Sequence, residues 1–136
     1  MKYFLLFFSL LSLNGIAQDS SNISPQILTK VKIGQSITVE NIRLKFVNVI
    51  SDSRCPEDVT CVWPGEAEVF LELKKDGKTE EERIVVKATA PTVNGILVAE
   101  SETKKLFLKA LKPYPKTAGK IASGDYCLEL IVLKKE

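Results

Sequence analysis

The chain predicts an all-β protein, a single small antiparallel β-sandwich or open barrel of about seven strands. Three observations lead there. Apolar and polar residues alternate at period two through most of the chain beyond residue 36, as half-buried strands require. Turn signals recur about every ten residues, the spacing of short antiparallel strands. The 136 residues, less a leader, suit one domain with a single core, and they hold no internal repeat or low-complexity tract.

The leader is residues 1–17. Lys2 is a short basic start, residues 3–13 (YFLLFFSLLSL) are an apolar run, and Gly15 and Ala17 are small residues suited to cleavage before Gln18. The run is shorter than the roughly 20 residues of a membrane-spanning helix, so no transmembrane anchor is expected after cleavage. An uncleaved anchor is the less favoured alternative, because the flank after Ala17 is polar. Secretion or a periplasmic location follows as the expectation. Residues 18–30 read as a loose N-terminal tail and residues 31–136 as the β domain.

Each strand has its own justification. Ile37 and Val39 alternate with Ser36, Thr38 and Glu40, and Glu40-Asn41 reads as a tight turn into a run with Ile42, Leu44 and Phe46 on one face. Beyond a loop at 51–66, Ala67, Val69, Leu71 and Leu73 face one way, with Glu68, Glu72 and Lys74 opposite. Asp76-Gly77 is the strongest hairpin signal, since both residues tolerate positive φ. It leads into Ile84, Val86 and Ala88. Residues 91–95 read as a loop and 96–99 as a short strand. Residues 106–111 fit either period: Phe107, Ala110 and Leu111 share a helical face, whereas Leu106, Leu108 and Ala110 share a strand face. The strand is favoured because its neighbours are strands. Pro113-Tyr114-Pro115 is a rigid extended break. In the last strand Tyr126, Leu128, Leu130 and Val132 face inward, against Cys127, Glu129 and Ile131.

Composition narrows the chemistry. Removing the leader takes away Lys2 alone and leaves 18 basic against 17 acidic residues, a net charge of +1. That balance disfavours nucleic acid, which needs a basic face. The chain has no histidine, so the usual triad base and the usual zinc ligand are missing. Three cysteines cannot build a four-cysteine zinc site. Asp52, Ser53, Glu57, Asp58 and Glu66 are oxygen donors in one loop, but their spacing matches no EF-hand. Neither a metal nor a cofactor is expected. Asp52 and Glu66 bracket the loop and leave open a carboxylate-dependent hydrolase, although a salt bridge or solvated rim is the favoured reading.

The loop at 51–66 (SDSRCPEDVTCVWPGE) is the most unusual stretch. It gathers two of the three cysteines and the only tryptophan. In the chain-entropy picture a Cys55–Cys61 bridge stabilises by about 2.4 kcal/mol and a Cys61–Cys127 bridge by about 4.4 kcal/mol. Proximity in sequence nevertheless favours Cys55–Cys61, which leaves Cys127 a free thiol on the polar side of its strand. Cys127 then admits two readings, a reactive or intermolecularly bridged thiol and, favoured, an inert one. Trp63 is either packed on the disulfide, which is favoured, or an exposed binding anchor. Pro64-Gly65 suits the centre of a type II turn.

Asp52-Ser53-Arg54-Cys55-Pro56, Cys61, Trp63 and Gly65-Glu66-Ala67 together resemble the D-S-R-C-P…C-x-W-x-G-E-A motif of small exported bacterial proteins. Many of these also place a Pro-Tyr-Pro before the closing strand, as at residues 113–115. The resemblance spans residues 31–132. It implies a recurring small β domain and supplies no mechanism. The chain departs from the pattern at Pro64 and in carrying Cys127.

The function expected is therefore an exported, non-enzymatic β domain that binds a protein or envelope component through the loop. Arg54, Glu57, Asp58, Trp63 and Glu66 are the expected contact residues. The alternatives are the hydrolase and a thiol-reactive protein using Cys127. Arg54 itself has two readings, a contact at the surface or, favoured, an anchor paired with Asp52 or Glu66.

Overall fold

A computed structural model describes residues 27–87 and 95–135. The leader, most of the expected tail, Ala88 and the loop at 91–94 lie outside them. The described chain is all-β: β1 (Ile27–Lys32), β2 (Ser36–Val39), β3 (Ile42–Asp52), β4 (Glu66–Lys75), β5 (Lys78–Lys87), β6 (Ile96–Glu100), β7 (Lys104–Lys112) and β8 (Cys127–Lys134), with one 3-10 turn at Ser123–Asp125. Two antiparallel four-stranded sheets, ordered β1-β8-β7-β6 and β2-β3-β4-β5, pack as a sandwich. The sheets share no ladder, so the arrangement is a sandwich and not a barrel.

The core follows from the alternation. Leu44 and Phe46 of β3 and Val69 and Leu71 of β4 meet Leu106 and Leu108 of β7 and Leu128 and Leu130 of β8, all buried. β4 alternates without interruption from Glu66 to Leu73. Asp76 (φ 50°) and Gly77 (φ 80°) form the two-residue turn into β5, as their tolerance of positive φ predicts. Glu40 (φ 55°) does the same between β2 and β3.

The structure departs from the sequence reading at three places. β1 opens at Ile27, inside the expected tail, because its backbone pairs with β8 from Ile27↔Val132 to Lys32↔Cys127. Residues 104–112 are a strand, as favoured, with a bulge between Leu108 and Ala110 that the sequence did not signal. The bulge shifts parity, so Leu111 and not Ala110 turns inward, and Leu108 and Leu111 acquire a helix-like spacing of three. Ile131, on the outer side of β8, is only 1 % exposed, yet it lies outside the core cluster.

Two polar clasps join the sheets at opposite ends. At one, the Glu40 carboxylate accepts hydrogen bonds from the hydroxyls of Ser101 and Thr103, and Lys75 Nζ donates to the Glu100 carbonyl (2.8 Å). Lys135 adds an ion pair to Glu100 and donates to the Ser101 carbonyl at 2.7 Å. The other clasp lies under the cysteine loop.

Candidate functional site

β3 and β4 diverge at Asp52 and Glu66, and the loop between them folds over the end of the sandwich. At its neck Ser53 N donates to the Glu66 carbonyl (2.8 Å) and Cys55 N to the Pro64 carbonyl (2.9 Å). Gly65 sits between these bonds at φ 71°, where the Ser53 backbone fills the space a Cβ would need. The disulfide joins Cys55 to Cys61, as the short spacing predicts, and Cys127 is free.

Arg54 is 5 % exposed, so it is an anchor and not a surface contact. Its Nε and Nη2 donate to the two oxygens of Asp52 at 2.8 and 2.7 Å, the bidentate geometry in which guanidinium and carboxylate bind best. Nη1 donates to the Leu111 carbonyl of β7 (2.7 Å) and Nη2 also to the Pro113 carbonyl (3.0 Å). The guanidinium stands 4.8 Å from the centre of the Tyr114 ring. One side chain thus ties the end of β3, in the second sheet, to the end of β7, in the first. Tyr126 OH completes the cluster by donating to Asp52 (3.1 Å).

The Pro-Tyr-Pro segment is the cradle of the loop. Proline carbonyls remain free to accept where no ladder claims them. Pro113 takes Arg54, and Pro115 takes Glu57 N at 3.0 Å. The peptide bond before Pro113 is cis. Beyond it Asp58 accepts from Thr117 N (2.9 Å) and from the Thr117 hydroxyl, and Glu57 meets Lys116 at 3.1 Å on the surface. An exposed pair of this kind contributes little, about 0–1 kcal/mol.

The expected contact residues therefore divide. Arg54 is buried, Asp58 is engaged by Thr117, Glu57 is paired at the surface, and Glu66 is half-buried with its carbonyl holding Ser53. Trp63 is the reverse of the packed plug favoured from sequence: it is 65 % exposed. At the end of the sandwich it is the buried Arg54 guanidinium, stacked on the Tyr114 ring, that lies under the loop. Val62 is fully exposed (109 %), and Val59 is exposed as well. Neither valine stands out in the sequence: Val59 lies between the polar Asp58 and Thr60, and Val62 between Cys61 and Trp63, with no alternation to place either on a strand face.

Both oxygens of Asp52 are committed to Arg54 and Tyr126, which leaves this carboxylate a held counter-ion. Among the described residues no three of His, Cys, Asp and Glu converge on a metal position. Cys127 is half-buried, opposite Lys32 on β1 and Lys112 on β7. Among the described residues no helix is long and apolar enough to cross a membrane. Comparison of the chain with family models, curated proteins and solved structures finds no match.

The cluster predicts a pH dependence. Burial works to raise the Asp52 pKa, but the hydrogen bonds and charge of Arg54 more than offset it and hold the carboxyl below its ordinary value. Hydrogen bonds from Thr117 do the same for Asp58. A lowered folded-state pKa means that the stability conferred is present at neutral pH and is lost as pH falls below about 4. Tyr126 is shifted up by burial and then by the Asp52 charge, so its contribution is lost as pH rises above about 10. Thermal midpoints measured across pH should form a plateau with both limbs. Tyr126→Phe should flatten the alkaline limb, and an unchanged limb in that variant would refute the assignment.

Proposed function

We propose that the protein is an exported, non-enzymatic binding module whose contact surface is the crest of the cysteine loop, formed by Val59, Val62 and Trp63. One observation carries this reading: two adjacent large apolar side chains, Val62 and Trp63, stand in solvent on a loop held by a disulfide and by the Arg54 clasp. A loop that can relax folds such side chains inward, and this one is restrained from doing so. Covering the exposed indole is worth roughly 3–4 kcal/mol by area, the scale of a binding hot spot. Because the loop is already ordered, little entropy opposes association. The leader-like residues 1–17 and the disulfide support export to an oxidising compartment.

A photoreactive amino acid placed at position 62 in the producing cell tests the contact surface. Discrete adducts are expected from position 62 and not from position 85, an exposed valine on the outer side of β5. Equal adduct patterns from the two positions would contradict the assignment.

A further inference from the structure

β3 is irregular twice, with register shifts between Phe46 and Asn48 and between Val49 and Ser51. Bulges re-aim side chains, and these two, one just before Asn48 and one within 49–51, bear on the consecutive residues 48–51, all of which line one cleft of about 460 Å³. Small-molecule sites occupy about 300–1,000 Å³. The opposite wall is the β7–β8 connection, which contributes Lys120, Ile121 and Ser123. The floor is the Arg54, Asp52 and Tyr126 cluster.

The chemistry of the lining is one-sided. Asp52 and Arg54 neutralise each other at 2.7 Å, so the Lys120 ammonium sets the net charge of the cleft. The side chains of Lys120, Asn48, Ser51 and Ser123 have no hydrogen-bond or ion-pair partner among the described residues. The lining thus offers an ammonium, an amide and two hydroxyls, all groups that can donate to a carboxylate. Val49, Ile50 and Ile121 supply an apolar wall; Val49 and Ile121 are braced against the core, and Ile50 is exposed. A cationic ligand would face Lys120 and find no carboxylate oxygen free on Asp52.

We propose that this cleft binds a small organic acid, its carboxylate at Lys120 and its short apolar body along Ile50 and Ile121. Val62 and Trp63 do not line the cleft, so the proposal stands apart from the loop crest. Titration of the purified protein with hexanoate, followed by amide NMR, tests it. Hexanoate should move the resonances of Ile50, Ser51, Ile121 and Ser123 saturably. Hexanamide, acetate and the Lys120→Gln variant should each weaken binding by about tenfold or more, and hexylamine should not bind. Lys120 is exposed, so the variant keeps its fold, seen as unchanged resonances elsewhere. Four results would overturn the proposal: no saturable shift, shifts spread outside the cleft, full affinity in Lys120→Gln, or acetate binding as well as hexanoate.

Discussion

Arg54→Ala should lower the thermal midpoint by about 12–20 °C. The Asp52 carboxylate, 8 % exposed in the intact protein, loses its cation, and removing one partner of a buried pair costs about 3–5 kcal/mol. Each kcal/mol shifts the midpoint of a domain of this size by about 4 °C. The carbonyls of Leu111 and Pro113 lose their donor as well, so the link at this end is left to the Tyr126–Asp52 bond and the more exposed contacts of Glu57 and Asp58. Arg54→Lys should fall between the two, because an ammonium keeps the charge but cannot fork to both carboxylate oxygens and two carbonyls. The double variant Asp52→Asn, Arg54→Met should be less destabilised than Arg54→Ala, since no buried charge is then stranded. A midpoint within a few degrees of wild type in Arg54→Ala would show that the clasp is dispensable.

Gly65→Ala should be comparably severe, at about 3 kcal/mol or more, for a different reason. A Cβ at Gly65 would lie 1.9 Å from the Ser53 carbonyl oxygen, a backbone atom that cannot move without breaking the neck of the loop. The bonds Ser53 N to Glu66 O and Cys55 N to Pro64 O would have to open. Left-handed backbone adds about 1–2 kcal/mol for any L-residue. Gly77→Ala is the matched control: its φ is 80°, but a Cβ there meets nothing within 4 Å. It should cost only the left-handed penalty, about 1–2 kcal/mol. Equal destabilisation of the two variants, measured by denaturant unfolding, would remove the close contact from the account.

What was legible in the sequence was what depends on local pattern. Ala67, Val69, Leu71 and Leu73 announce β4 and its buried face, and Asp76-Gly77 announces the hairpin, because alternation and turn chemistry act over a few residues. The Cys55–Cys61 bridge is equally local. Bulges defeat the pattern. They move Leu111 inward on β7 and turn residues 48–51 of β3 toward a cleft, and no residue type marks where a ladder slips. The partners of Arg54 were half legible: Asp52 lies two residues away, but the carbonyls of Leu111 and Pro113 are 57 and 59 residues distant. Backbone acceptors carry no sequence signature. Trp63 was misjudged because its exposure depends on what already fills the sandwich end, Tyr114 and the Arg54 guanidinium, and this is a tertiary fact.

The crest claim has a direct test, because Trp63 is the only tryptophan in the chain. Protein carrying fluorotryptophan gives one tryptophan fluorine resonance, which should have the position of a solvent-exposed indole in the free protein. Addition of envelope extract from the producing cell should shift or broaden that resonance. Excess unlabelled wild-type protein should restore it, whereas a Val62→Ser, Trp63→Ala variant should not. A resonance already at a buried position in the free protein, or one unmoved by the extract, would contradict the account.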